Sequence, residues 1–270
     1  MVYPDYVRQT EQVRRLREKR RVRVVGNSLC GRHIYAVLCG EARGCPLIAA
    51  GFHGMEYLTV AAALRFAEEY RGSAVIVPCV NPDGVDIAVH GAAAAGVYAP
   101  FVASTGMADR WQANARGVDI NHNFDAAWQC VKRRECAAGI TAPCATRFGG
   151  CHAESEPETR ALTALCRQRN PSRVLALHSQ GREIYWDFGQ HTPRESLPLA
   201  QKMSVVSGYR VASPEPMATG GGFKDWFISR FYRCGFTVEM GLGQNPLPLR
   251  DFEAEYPLVK AILLTFLHGG

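Results

Sequence analysis

The strongest constraint on how this chain folds is a pair of apolar runs separated by one helix-length segment. Pro46-Leu-Ile-Ala-Ala-Gly-Phe52 and Ala74-Val-Ile-Val-Pro-Cys-Val80 are free of charged side chains, and Met55–Tyr70 between them is an Ala/Leu-rich amphipathic stretch closed by Gly72. A strand with one wet face alternates polar and apolar residues, whereas a run that is apolar throughout is covered on both faces. Strand, helix and strand in that order predict an α/β sheet with helices on both sides. Arg173–His178 and Phe236–Met240 read as further buried strands, and Glu156–Gln168, Leu197–Ser207, Gly222–Phe231 and Phe252–Leu267 as helices. At the N-terminus, residues 5–20 predict an Arg-rich helix. Two strands, 21–27 and 33–39, follow around the turn Gly26–Gly31. Residues 81–157 carry little periodic signal, and long irregular connections of this kind often hold function. No repeat or linker divides the 270 residues. A single domain over 1–270 is expected, with 1–20 as an N-terminal helical extension.

Composition narrows the function classes. The hydrophobic fraction of 47% is that of an ordinary globular protein. The net charge of +6 is concentrated in Arg14-Arg-Leu-Arg-Glu-Lys-Arg-Arg-Val-Arg23. Without interleaved aromatics that run reads as a solvated helix face, so neither a nucleic-acid nor a membrane partner is expected. No long apolar core typical of a secretory signal is visible near Met1-Val-Tyr-Pro-Asp-Tyr6, and no run has the length of a membrane span. The ten cysteines, several inside apolar runs, then read mainly as reduced thiols of a cytoplasmic protein.

The chemistry starts at His53-Gly-Met-Glu56, where the first apolar run gives way to a helix. A strand end projects the imidazole, and a helix start three residues on brings the carboxylate to the same side. Two zinc-type ligands at one corner leave room for a third and for water. Two other buried strands end on single ionisable side chains, His178 and Glu239. An isolated charge at such an edge is costly unless it is paired or bound to metal, and active sites of open α/β sheets lie beyond the carboxyl ends of the strands. Asn81-Pro-Asp-Gly84 and Arg116-Gly-Val-Asp-Ile-Asn-His-Asn-Phe124 lie in the connections between these strands.

Together these segments resemble the zinc carboxypeptidase family, the funnelin-type metallopeptidases, from near Gly26 through the closing helix. The resemblance implies a twisted, mixed but mostly parallel central sheet with helices on both faces. It implies His53, Glu56 and His178 as ligands of one Zn2+ per chain and Glu239 as general base, with Asp119 a candidate to orient a ligand. His178–Trp186, Gly221–Phe227 and Phe236–Leu249 look most like the γ-D-glutamyl-L-diamino acid endopeptidase branch, which cuts the γ-D-glutamyl–meso-diaminopimelate amide of peptidoglycan stem peptides. The partner implied is therefore a peptidoglycan-derived peptide.

Two departures stand beside the matches. Asn121-His122-Asn123 replaces the family's Asn-Arg-Asn, whose Arg clamps a terminal carboxylate, and Gln112 stands where many members place an Arg that polarises the scissile carbonyl. A neutral amide donates a hydrogen bond but supplies no cation. Arg116 is the expected compensating cation. Asn121 and His122 are expected at the carboxylate beside the scissile nitrogen, and Arg182 and Lys224 at the remaining substrate charges. The family's mobile tyrosine has no counterpart near Pro216-Met217. A carboxypeptidase or deacylase of different specificity, and a non-catalytic peptide-binding protein, remain as alternatives.

Overall fold

A computed structural model describes residues 2–40 and 43–269. Met1, Glu41, Ala42 and Gly270, which the single-domain expectation includes, lie outside the described residues. Eight strands form one mixed sheet in the order β1-β2-β4-β3-β5-β8-β6-β7. Its centre comprises β3 (Leu47–Ala49), β4 (Ala74–Val77), β5 (Val174–His178) and β8 (Gly235–Glu239), all mutually parallel. Antiparallel pairing adds β1 (Arg21–Asn27) and β2 (His33–Cys39) on one side. On the other side β6 (Glu183–Tyr185) runs antiparallel to β8 and parallel to β7 (Arg210–Ala212).

The apolar runs are covered on both faces, and alternate residues serve opposite cores. Ile48, Leu175, Leu177, Phe236 and Val238 pack with α2 (Tyr57–Glu69), α7 (Ser196–Ser207) and α9 (Phe252–His268). Leu47, Ala49, Val174 and Ala176 pack against α6 (Pro157–Arg169) and α8 (Phe223–Phe231), whose Phe223, Trp226 and Phe227 are fully buried. The Arg-rich helix, Tyr6–Leu16, turns Val13 and Leu16 inward and leaves most of its arginines exposed. Among the described residues no helix is long and apolar enough to cross a membrane.

The structure differs from the sequence expectation in three ways. The first buried strand is Leu47–Ala49 rather than 46–52, because Gly51 takes φ 63° and donates to Thr59 Oγ1, which bends the chain off the ladder. The expected irregular stretch from 81 to 157 contains helices at Pro82–His90, Ala99–Thr105 and Trp128–Ala137. β6 and β7 are three-residue strands, too short for alternation to register.

All four central strands point their carboxyl ends to one side, and the chain packs tightly there. Asn81 reaches from the end of β4 and donates through Nδ2 to the carbonyls of Phe52 (3.0 Å) and Ala113 (3.0 Å). Gly54 sits against the neighbouring backbone so closely that an added Cβ would meet Gly84 O at 2.1 Å and Trp111 O at 2.7 Å. Neither oxygen belongs to a side chain that could swing away. Gly54→Ala is therefore expected to destabilise the protein by about 2–3 kcal/mol and to disturb His53 beside it. Denaturant unfolding together with zinc titration checks this, and a variant of unchanged stability and affinity contradicts it.

Candidate active site

His53 follows β3, Glu56 occupies the cap position of α2, and His178 is the last residue of β5. Three separate backbone ends thus meet above the sheet. The Glu56 carboxylate lies between the rings, with Oε1 2.8 Å from His53 Nδ1 and Oε2 3.1 Å from His178 Nδ1. One donor atom from each residue lies within 4.8 Å of the others. Phe52 stacks on His178 with centroids 4.9 Å apart and fixes the plane of that ring. Asp119 accepts the far nitrogen of His53 at 3.2 Å and receives the backbone N–H of Asn121 at 3.0 Å. A carboxylate holding the outer nitrogen of an imidazole directs the inner one toward a metal. Two imidazoles and a carboxylate, buried or nearly so and converging on one point, suit Zn2+.

Charge makes the same case. Burial works against ionised Glu56, but His53 and His178 outweigh it and lower its pKa to about 2. Burial likewise opposes a charged His53, and Glu56 and Asp119 overcome it and raise that imidazole well above its usual range. His178 moves the other way: burial lowers it, with Glu56 only partly offsetting. The anionic carboxylate and the neutral His178 are in the state that metal ligation needs, and His53 gives up its proton when a metal takes its place beside Glu56.

Glu239 ends β8 directly opposite His178 in the parallel register. Burial, then Glu56 and Glu183, push its carboxyl well above the usual range. Two cavities meet at Glu239 and Tyr185. The larger, about 650 Å³, is lined by Gln112, Arg110, Arg147, Gln180 and others. The smaller, about 40 Å³, is lined by Asn121, Gly222, Lys224, Asp225 and Thr237. Lys224 and Asp225 are both buried, and Nζ lies 2.5 Å from Asp225 Oδ1.

The zinc carboxypeptidase (Peptidase M14) profile matches residues 9–256. This chain belongs to the zinc carboxypeptidase family. It is 34% identical over 271 residues to gamma-D-glutamyl-L-diamino acid endopeptidase 1 of Lysinibacillus sphaericus, covering 90% of this chain and 66% of that protein. It is 32% identical over 217 residues to murein peptide amidase A of Escherichia coli K12, covering 77% of each. Bovine thrombin-activatable fibrinolysis inhibitor shares the fold, with a TM-score of 0.81 at 18% identity over 99% of this chain and 97% of that one. The chain is thus a metallopeptidase, and its metal is zinc.

In this member of the zinc carboxypeptidase family, the residues singled out in the sequence divide into two groups. His53, Glu56, His178, Glu239, Gln112, Asn121 and Lys224 gather around the two cavities and the metal donors. The other three are drawn away by carboxylates. Arg116 Nε donates to Glu156 at 2.9 Å. His122 is buried, with Nδ1 3.1 Å from Glu135. Arg182 forks onto Glu255, with Nε at 3.1 Å. None of the three lines either cavity. Tyr185, Asp225, Arg110 and Arg147 went unnoticed in the sequence. Asp225 had a signal, since an acid next to a lysine in an otherwise apolar helix implies a buried pair. Tyr185 sits on a three-residue strand, Arg110 in a single 3-10 turn and Arg147 in a loop, where periodicity carries no information.

The raised pKa of Glu239 has a consequence for stability. A carboxyl whose pKa is raised by folding contributes stability that is fully present below its unfolded value and is lost as pH rises through the folded value. As pH rises above the ordinary carboxylate range the metal-free fold therefore loses stability, because Glu239 is buried facing Glu56 and Glu183. Glu239→Gln is expected to raise the melting temperature of metal-free protein at pH 8 by roughly 2–4 °C, with no gain at pH 4. Glu56 has the opposite sign. Its stabilisation is present above about pH 4.5 and lost as pH falls toward about 2, so Glu56→Gln should flatten acid unfolding across that window. Thermal melts of metal-free protein across pH test both, and parallel curves for variant and parent would refute them.

Proposed function

We propose that this enzyme hydrolyses the amide between γ-D-glutamate and meso-diaminopimelate in peptidoglycan stem peptides. The observation that carries this reading is the buried Lys224–Asp225 pair at the small cavity beside Glu239. A buried ion pair is a poor source of stability, because desolvation offsets most of its attraction. Its use here is recognition. The side chain of meso-diaminopimelate ends in an ammonium and a carboxylate on one carbon, so a cavity that offers one cation and one anion matches it charge for charge. About 40 Å³ is roughly the room of two or three waters, so the cavity admits only a small polar group at the tip of such a side chain. The names of two relatives, an endopeptidase for γ-D-glutamyl-L-diamino acids and a murein peptide amidase, support the same substrate class.

In this reading His53, Glu56 and His178 hold zinc, and Asp119 orients His53. Zinc supplies Lewis acidity, which acidifies water and polarises the amide carbonyl. Glu239, whose carboxyl already favours the proton, takes it from water and delivers it to the leaving amine. The Gln112 carbonyl oxygen is occupied by the Thr146 hydroxyl, which leaves its amide protons to donate to the substrate carbonyl. Asn121 presents its side chain in the small cavity, toward the carboxylate beside the scissile nitrogen, and Lys224 and Asp225 receive the distal carboxylate and ammonium. A carboxypeptidase of ordinary specificity needs a cation at the terminal carboxylate. His122, at the usual clamp position, instead faces Glu135, which weighs against that alternative.

The direct test is incubation of zinc-loaded protein with L-Ala-γ-D-Glu-meso-diaminopimelate and resolution of the products by mass spectrometry. Release of free diaminopimelate is expected; release only of C-terminal residues from ordinary peptides defeats the proposal. Chelation should abolish turnover and added Zn2+ restore it. Glu239→Gln should retain zinc and lose about 10²- to 10⁴-fold in kcat. Lys224→Met should lower kcat/KM about 10- to 100-fold for the diaminopimelate peptide, and distinctly less for the peptide with L-Lys in its place, which lacks the distal carboxylate. Equal losses on both peptides would remove Lys224 from that role.

A further inference from the structure

The wall of the larger cavity carries two arginines, Arg110 and Arg147. Both are exposed, and among the described residues no carboxylate pairs with either guanidinium. Of the other cations expected at the site, Arg116 is committed to Glu156 and Arg182 to Glu255, and Lys224 sits with Asp225 in the small cavity. The large cavity is therefore the part of the site with unneutralised positive charge, and it meets the small one at Glu239 and Tyr185.

Arg147 is also held in a fixed relation to the zinc ligands. Its backbone N–H donates to Asp119 Oδ2 at 2.9 Å, while Oδ1 of the same carboxylate holds His53 Nε2. Its neighbour Thr146 donates to the side chain of Gln112. The residue adopts φ 67°, a left-handed backbone that arginine takes up at some expense. Two ties and an unfavourable backbone hold Arg147 on the cavity wall without any salt bridge of its own. That is the arrangement of a cation kept free for a ligand.

The chemistry of a γ-linked glutamyl substrate names the ligand. Cleavage at the γ-amide leaves the α-carboxylate of glutamate free on the acyl side of the scissile bond, where an α-linked peptide has no such anion. With diaminopimelate in the small cavity, the glutamyl residue lies in the large one. We propose that Arg147, with Arg110 beside it, binds this α-carboxylate and so makes the enzyme discriminate γ-linked glutamate from γ-linked isoglutamine, in which the same carboxylate is amidated. A guanidinium fork matches a carboxylate and has no comparable partner in a primary amide. This inference rests on the peptide reading above and adds the acyl-side specificity to it.

Two tripeptides test it: L-Ala-γ-D-Glu-meso-diaminopimelate and its α-amide, L-Ala-D-isoglutaminyl-meso-diaminopimelate. The parent enzyme should prefer the acid by about 10- to 100-fold in kcat/KM. Arg147→Met should bring that ratio close to unity, chiefly through a higher KM for the acid. Arg147→Lys should retain an intermediate preference. Equal cleavage of acid and amide by the parent enzyme, a comparison that needs no variant, overturns the inference and leaves the γ-bond reading standing. So does an undiminished preference in Arg147→Met that folds and binds zinc as the parent does. Failure to cleave either tripeptide, with ordinary C-terminal residues released instead, overturns the peptide reading and this inference with it.

Discussion

The site depends on one buried carboxylate. Glu56 lies between two imidazoles and gives one oxygen to each. A buried carboxylate left alone is costly, and one flanked by two nitrogens is stabilised only while both rings stay in place. The contact chain continues outward. His53 passes from Glu56 to Asp119, and Asp119 passes to the backbone of Asn121 and Arg147. The end of β5, the cap of α2, the loop at 119–123 and the segment at 147 are thereby tied into one network. Moving any member leaves a buried polar group without its partner, so the geometry of the metal donors is fixed by the same contacts that close the fold at this end.

The sheet supplies the place where such a network can form. Four parallel strands end on the same side, and their near-continuous apolar sequences leave ionisable groups only at the tips. His178 and Glu239 are cross-strand neighbours because β5 and β8 pair in register. Their separation is thus set by backbone hydrogen bonding rather than by flexible side chains. The corner at Gly54 works similarly. Close backbone approach of Gly84 and Trp111 leaves no room for a side chain, and it positions His53 on one side of that glycine and Glu56 on the other.

How much of this is legible in the sequence follows from the physics of each part. Buried strands and amphipathic helices announce themselves through periodicity, so the central sheet, α2, α6 and α9 could be read with their ends misplaced by a few residues. His53, Glu56, His178 and Glu239 were readable because ionisable groups at the ends of apolar runs demand an explanation. β6 and β7 were not, since three residues contain too little pattern. The pairing of Arg116 with Glu156, His122 with Glu135 and Arg182 with Glu255 was also hidden. Each joins residues 13 to 73 positions apart, and only the folded chain brings them together.

Those hidden pairings decide where the positive charge of the site resides. The sequence places basic side chains at 116, 122 and 182, close to recognised segments, and each of those positions meets a carboxylate in the fold. Glu135, Glu156 and Glu255 are all buried, and none can remain so without a donor. Their partners are consumed in satisfying them. Positive charge available to a ligand is left on Arg110 and Arg147, which no sequence motif marks and which no acid among the described residues neutralises, and within the small cavity on Lys224, where Asp225 accompanies it. The substrate surface of this member of the zinc carboxypeptidase family is therefore set by subtraction: once the buried acids have taken their donors, the cations that remain at the site line the two cavities that meet at Glu239.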